Sequence, residues 1–324
     1  MQFLRMMRPM LLAGSALAAG VAVAQDYPNR PIRLIIPYGT GGVTDITARV
    51  IAPRISDNLG QQIVVENRPG GAAIPGFDLV AKARPDGYTA VLATTALAAN
   101  PILFRKLPYD AEKDLAPVSL VATAPTVLVV HPSVPAHSVK ELIALAKSKP
   151  GALNYGSAGN GSDNHLITEL FKNATGIDVL HIPYKGGGAV MTDLVGGQVA
   201  FVFAVLPAAH PYISSGRLRA LGVSSLKRSA ALPDVPTISE AGLPGFNSNA
   251  WLGILVPAGT PANVIDRLHV ATVKALERPE VSERLTTLGL VPVGSTPAQL
   301  GAHLKFEMAR WAKLAQEAKF EVAN

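Results

Sequence analysis

The chain has 324 residues, 29 of them basic and 23 acidic, for a formal charge of +6, and it contains no cysteine. Its basic residues are scattered, with no Lys/Arg run of five or more, which argues against nucleic acid as a partner. The missing cysteine removes both a structural disulfide and a lipid-bearing cysteine.

In chain order the first feature is a leader. Arg5 and Arg8 precede an apolar, alanine-rich stretch from Met10 to Val23 that ends in Ala22-Val23-Ala24, the pattern of a secretory signal cut before Gln25. That stretch is short for a bilayer span, and no later segment offers ~20 uninterrupted apolar residues. Residues 1–24 are therefore expected to leave, and a freely diffusing periplasmic protein to remain. Residues 25–324 are enough for about two domains with proper cores.

The remaining chain alternates strands and helices. Strands are expected at 32–36, 63–65, 88–93, 126–130, 179–182, 199–203, 219–223 and 252–256, and helices at 44–58, 138–147, 162–175, 261–277 and 297–318. In the last of these, Leu300, Leu304, Met308, Trp311 and Ala315 follow helical spacing. The expected class is α/β with two mainly parallel sheets flanked by helices. The stretch 122–125 and the proline-rich run 232–246 read as crossings between lobes. One lobe then holds 25–125 plus 247–324, the other 126–246, with a ligand cleft between them and a hinge at the crossings.

Two strands run through glycine-rich turns directly into helices. In the first, the apolar 32–36 strand ends at Pro37, and Gly39, Gly41 and Gly42 let the chain bend over the start of the next helix. The N–H groups of Gly42, Val43 and Thr44 then form an anion cradle. Asp45 in the first helical turn reads mainly as a cap, with direct ligand contact the other option. Pro53 is expected to kink this helix. The second turn, Ser157-Ala158-Gly159-Asn160-Gly161-Ser162, adds hydroxyls and an amide suited to carboxylate oxygens; alone it reads rather as a plain strand-to-helix turn capped by Ser162. Two matched cradles favour a clamped carboxylate.

Catalytic motifs fit poorly. Tyr155-Gly156-Ser157-Ala158-Gly159 lacks the first glycine of a nucleophile elbow, and Gly156 to Ser162 resembles a phosphate loop without its lysine. The seven histidines show no metal-ligand spacing, so neither metal nor cofactor is expected. The competing reading is a secreted α/β hydrolase with Ser157 as nucleophile and His165 or His181 as base; by itself His165 reads as a packing or hydrogen-bonding residue. Lys185 is either an anion partner or a solvated lysine at a helix start.

Several motifs together carry a resemblance: Pro37-Tyr38-Gly39-Thr40-Gly41-Gly42-Val43-Thr44-Asp45 with Ala48-Arg49, Glu66-Asn67-Arg68-Pro69-Gly70-Gly71, Pro85-Asp86-Gly87-Tyr88-Thr89, Asn154 to Ser162, His181-Ile182-Pro183-Tyr184-Lys185-Gly186-Gly187, Leu232-Pro233-Asp234-Val235-Pro236-Thr237 and Pro257-Ala258-Gly259-Thr260-Pro261. With these the chain resembles the tripartite tricarboxylate transporter receptors, the Bug or TctC-type solute-binding proteins. The resemblance implies a two-lobed periplasmic receptor, expected to be monomeric, that closes over an organic acid, performs no chemistry, and delivers its ligand to a membrane permease. A ligand sensor for a membrane kinase would use the same hinge.

The resemblance also implies that Gly41 to Thr44, the turn at Thr94-Thr95, and Ser157 to Ser162 meet the ligand. Where the family often ends a strand in aspartate, this chain has Ala204 followed by Val205. That departure turns the expectation from amino acids toward a dicarboxylate, with an aromatic one such as terephthalate among the options. Thr94 and Thr95 are either donors to the far carboxylate or plain strand-end residues. Tyr38 is either an aromatic wall or a packing residue.

Overall fold

The computed structural model describes residues 27–184 and 186–318; the leader and Lys185 lie outside the described residues. In the first part of the chain β1 (Ile32–Ile36) leads to α1 (Val43–Leu59), β2 (Ile63–Asn67), α2 (Ile74–Ala81), β3 (Thr89–Thr94), α3 (Thr95–Leu103) and the long β4 (Leu115–Val130). Next come α4 (Val139–Ser148), β5 (Asn154–Ser157), α5 (Asp163–Thr175), β6 (Leu180–Pro183), α6 (Gly187–Val195), β7 (Phe201–Val205), α7 (Leu206–Ser214) and β8 (Arg219–Val223). The chain closes with β9 (Asn249–Pro257), α8 (Ala262–Leu276), α9 (Pro279–Thr287), β10 (Val291–Pro292) and α10 (Pro297–Ala318).

The strands follow the order β2-β1-β3-β9-β4-β7-β5-β6, with β8 and β10 also paired to β4. β4 belongs to both halves. Its Leu115 to Pro125 portion pairs with β9, ending at Pro125 opposite Asn249, and its Thr126 to Val130 portion pairs with β7, starting at Thr126 opposite Val205. The pairing is mixed rather than mainly parallel. β1, β2 and β3 run parallel, as do β5, β6 and β7, whereas β4 and β9 meet all their neighbours antiparallel. Parallel neighbours need a crossover helix; β4 is instead the strand that passes from one half to the other, and β9 pairs only with β3 and the Leu115 to Pro125 portion of β4.

β4 also starts earlier than the expected 126–130. The stretch 122–125 reads as a crossing in the sequence, and proline donates no hydrogen bond to a ladder. The strand absorbs Pro117 by a register shift before Ser119 and leaves its β9 partner at Pro125. The short helices α2, α3, α7 and α9 were not expected, and α3 shows why: seven of its nine residues are buried, so no polar stripe marks its period. α1 runs through Pro53 as one unbroken helix.

Helices cover both faces of each half. α1, α8 and α9 place Ile51, Leu268 and Val281 against β1 residues Ile32, Leu34 and Ile36, while α2, α3 and α10 place Phe77, Leu97 and Trp311 on the opposite face. In the second half α4 and α5 bury Leu142 and Phe171 on one face, and α6 and α7 bury Leu194 and Ala209 on the other. Each fully buried Leu, Ile or Phe contributes about 1.5–3 kcal/mol, so these faces hold the loops between them. No described helix is long and apolar enough to cross a membrane.

Candidate ligand site

The β1–α1 turn is built around Asp45. Its carboxylate accepts hydrogen bonds from Gly41 N at 3.0 Å and Asn67 Nδ2 at 2.9 Å, and Arg49 Nε lies 3.1 Å from each of its oxygens. Asn67 also donates to the Tyr38 carbonyl at 3.0 Å. Burial pushes the Asp45 carboxyl up, but the hydrogen bonds from Arg49, Gly41 and Asn67 outweigh it and hold it below the usual carboxylate range. Asp45 thus folds the turn back on itself and uses the Gly41 amide. The α1 ladder begins with Ile46 N donating to Gly42 O, so the first-turn amides of Val43, Thr44 and Asp45 have no acceptor within the helix.

The Thr94-Thr95 turn is a helix start rather than a plain strand end. Thr94 is the N-cap of α3, its hydroxyl accepting from Ala96 N at 3.4 Å and lying 2.7 Å from Tyr38 Oη. The aromatic ring that the sequence left open as wall or packing residue is therefore tied to α3. Burial, with the charge of Asp163 nearby, pushes the Tyr38 phenol up, so it stays neutral. Thr95 is buried, and its hydroxyl lies against the Asp163 carboxyl at the start of α5.

In the β5–α5 turn most polar groups serve the turn itself. Ser157 Oγ accepts from Gly159 N at 3.1 Å and lies 2.6 Å from His181 Nε2; Gly161 N donates to His165 Nδ1 at 3.2 Å; Ser162 Oγ donates to Gly159 O at 2.6 Å. Ser162 holds the N-cap position without making a side-chain cap bond. Leu166 N to Ser162 O opens the α5 ladder, which leaves the amides of Asp163, Asn164 and His165 without intrahelical acceptors. Gly159 at φ +121° and Gly161 at φ +77° adopt backbone conformations that only glycine takes readily.

Beneath this turn three rings stack. His181 lies 4.7 Å from Tyr155 and 4.3 Å from His165, its ring nearly parallel to both. Burial, with His165 alongside, lowers His181 to about 4, and burial lowers His165 as well, so both stay neutral near pH 7. Tyr155 Oη donates to Glu169 Oε1 at 2.6 Å, which Lys172 also meets at 2.7 Å.

The two halves meet across these turns. A Cβ on Gly161 would approach Leu103 Cδ1 of α3 to 2.8 Å, and Leu166 of α5 packs into the first-half core with Leu97 and Leu300. The Asp163 carboxyl acts on both Thr95 and Tyr38. Tyr38, Thr94 and Thr95 are thus brought to the N-terminus of α5, while Gly41 and Gly42 are exposed and Ala158, Gly159 and Ser162 half-buried in their turns. The Ala204 side chain is buried in the second-half core with Val127 and Val202, while the carbonyl of the preceding Phe203 accepts from Asn164 Nδ2 near the start of α5 at 2.5 Å. The period-two alternation of β7 turns the Ala204 side chain to the helix-covered face.

The hydrolase expectation meets a Ser157–His181 contact of hydrogen-bond length, but Ser157 is fully buried and its hydroxyl braces the turn. A buried hydroxyl engaged in this way has no route to a substrate carbonyl. The sequence did not single out Asn67, Arg49 or Asp163 as parts of the site. The Asp45–Arg49 spacing of four residues was the one available signal.

Two α/β halves joined by crossing strands, each offering an amide-rich turn to the other, have the architecture of a periplasmic solute-binding receptor. The family described as tripartite tricarboxylate transporter family receptor (TctC) matches residues 47–320. Protein BugT of Bordetella pertussis is 40% identical over 308 residues, 94% of each chain. Among solved structures, R. palustris Rpa4515 with adipate is 37% identical at a TM-score of 0.82, covering 91% of this chain and 99% of that one. MatC from Rhodopseudomonas palustris with bound malate is 33% identical at 0.79, covering 89% and 99%. The chain belongs to the TctC family of receptors, which are periplasmic, bind carboxylates and catalyse no reaction.

Proposed function

We propose that this receptor captures a dicarboxylate between two lobes, residues 25–125 with 247–324 and residues 126–246, and presents it to the membrane permease of a tripartite tricarboxylate-type transporter after export to the periplasm. The observation that carries the reading is the meeting of helix N-termini: the Tyr38–Thr94 contact joins the α1 turn to α3, and Asp163 brings the start of α5 to the same place. Amides and hydroxyls from both lobes suit carboxylate oxygens. Solved relatives carrying adipate and malate, both dicarboxylates, favour the same ligand class.

Helix ends contribute at most ~2 kcal/mol each. Three of them sum to ~6 kcal/mol, short of the ~8 kcal/mol of micromolar capture. The balance comes from charge-assisted hydrogen bonds of ~1.5–3 kcal/mol each, made in full only when the lobes close and exclude water. The hinge lies where β4 changes partners between Pro125 and Thr126, next to Ser224, which bonds both Thr126 and Ser248.

A thermal-shift screen over adipate, malate, terephthalate, monocarboxylates and amino acids tests the reading, since a bound ligand raises apparent stability by mass action. Dicarboxylates are expected to raise Tm. A response to amino acids alone, or to none of these acids, defeats it.

A further inference from the structure

At the hinge lies a cavity of about 500 Å³ that shares no residue with the turns of the ligand site, and its size falls within the range of small-molecule sites. Pro125 and Asn249 line it, the pair at which β4 leaves β9. On one side stands the 225–231 segment that follows β8, with Leu226 and Lys227. On the other stand Leu290 and Val291, where α9 passes into β10. On the lobe boundaries proposed above, the first side belongs to the second lobe and the other to the first.

The lining is apolar with one unspent positive charge. Leu226 is 59% exposed and Val291 51% exposed, large aliphatic side chains left uncovered on both sides of the cavity. Among the described residues no Asp or Glu lines it. Arg228 is engaged by Glu240 Oε2 at 2.9 Å and by Pro233 O at 3.3 Å, whereas Lys227 has no ion-pair partner among the described residues. Asn249 Nδ2 donates to Asn247 Oδ1 at 3.2 Å, which leaves Asn247 Nδ2 as a second donor. An organic acid with an apolar body and a single charge matches this lining: the body covers Leu226, Leu290 and Val291, and the acid group meets Lys227 and Asn247. The second charge of a dianion would find no further free cation.

The cavity is also tied to the hinge. Ser224, just before the 225–231 segment, bonds both Thr126 and Ser248. On the other side, a Cβ added to Gly289 would come within 2.9 Å of Pro207 Cδ at the start of α7, so the lobes touch there as well. Rotation about the Pro125–Thr126 step changes the separation of Leu226 and Val291, and an occupant that fits one separation better shifts the open and closed populations by that difference. We propose that this hinge cavity is a second binding site, for a small amphipathic organic monoanion, and that its occupant and the acid in the cleft alter each other's affinity. The coupling rests on the reading that the lobes close over an acid; the site itself does not.

The test titrates the folded protein with anilinonaphthalene sulfonate, an amphipathic monoanion whose fluorescence reports apolar surroundings. Wild type is expected to bind one molecule saturably. Lys227→Gln is expected to weaken binding about tenfold, and Val291→Glu, which sets a negative charge on an exposed position of the cavity, to abolish it with an unchanged melting temperature. With the probe at saturation, the affinity of the best acid from the thermal-shift screen is expected to move at least about threefold and then level off, and the acid to move the probe's affinity by the same factor. Lys227→Gln keeps the acid's own affinity and loses that shift. Probe binding that is absent, does not saturate, or is equal in wild type and both variants overturns the site. Acid affinity that keeps falling as probe is added shows competition in the cleft and overturns it also. Saturable, Lys227-dependent probe binding with acid affinity unmoved overturns the coupling. If no acid binds wild type, the functional reading and the coupling fall together, and the probe titration decides the site by itself.

Discussion

Replacing Gly42 by valine separates ligand binding from folding at the first turn. Gly42 has φ −77° and ψ 166°, extended backbone open to any residue, and an added Cβ meets nothing nearer than Gly39 O at 3.8 Å. The variant is therefore expected to fold with a melting temperature close to that of wild type. The new side chain stands at the mouth of the α1 amides, where a carboxylate must come within about 3 Å to accept a hydrogen bond. Loss of one charge-assisted hydrogen bond of ~1.5–3 kcal/mol corresponds to about 10- to 150-fold weaker binding. Titration calorimetry with the best acid from the thermal-shift screen reads this directly, and circular dichroism checks the fold. Wild-type affinity in a folded Gly42→Val protein would refute the role given to the α1 amides. Gly159 offers the contrast: at φ +121°, with Tyr184 O 3.1 Å from an added Cβ, Gly159→Val is expected to lose about 1–3 kcal/mol of stability as well as binding.

Further outcomes follow from the same geometry. Ser157→Ala leaves Gly159 N and His181 Nε2 without their partner; urea denaturation should show a loss of about 1–3 kcal/mol, and simple esters should not be turned over by either protein. Burial holds His181 at about 4 and His165 also below its usual value. Their contribution to stability is therefore complete above the unfolded value of about 6.5 and lost as pH falls toward 4. Stability that stays flat between about pH 6.5 and pH 4.5 would show that these imidazoles are not held neutral; Asp45 and Glu66, held low, lose their contribution only in stronger acid. Arg310 joins the buried Glu307 to Asn247 O and Ser248 Oγ beside the crossing into β9. Arg310→Met should cost about 3 kcal/mol by stranding that carboxylate, and the double variant with Glu307→Gln should cost less than Arg310→Met alone.

By itself the sequence determined the features that local chemistry specifies. The 32–36 and 219–223 strands and the 297–318 helix match β1, β8 and α10 residue for residue, because alternation, apolar periodicity and flanking turn residues lie within a few positions of each other. The glycine-rich turns before α1 and α5 were legible for the same reason, and the joint motifs carried the family. Tertiary structure alone decided what the polar groups do. Asp45 is taken up by Asn67 and Arg49, Ser157 by His181, and Gly161 by His165, pairings in which all but Arg49 and His165 come from another element. β4 continues through Pro117 with a register shift against β9 and past Pro125 by exchanging β9 for β7. Ala204 turns into the core because β7 sits between covered faces, and Asp163 comes to Thr95 only because the halves meet. Short-range pattern sets which segments become strands, helices and turns; a hydrogen-bond partner distant along the chain exists only once the packed layers bring it within about 3 Å.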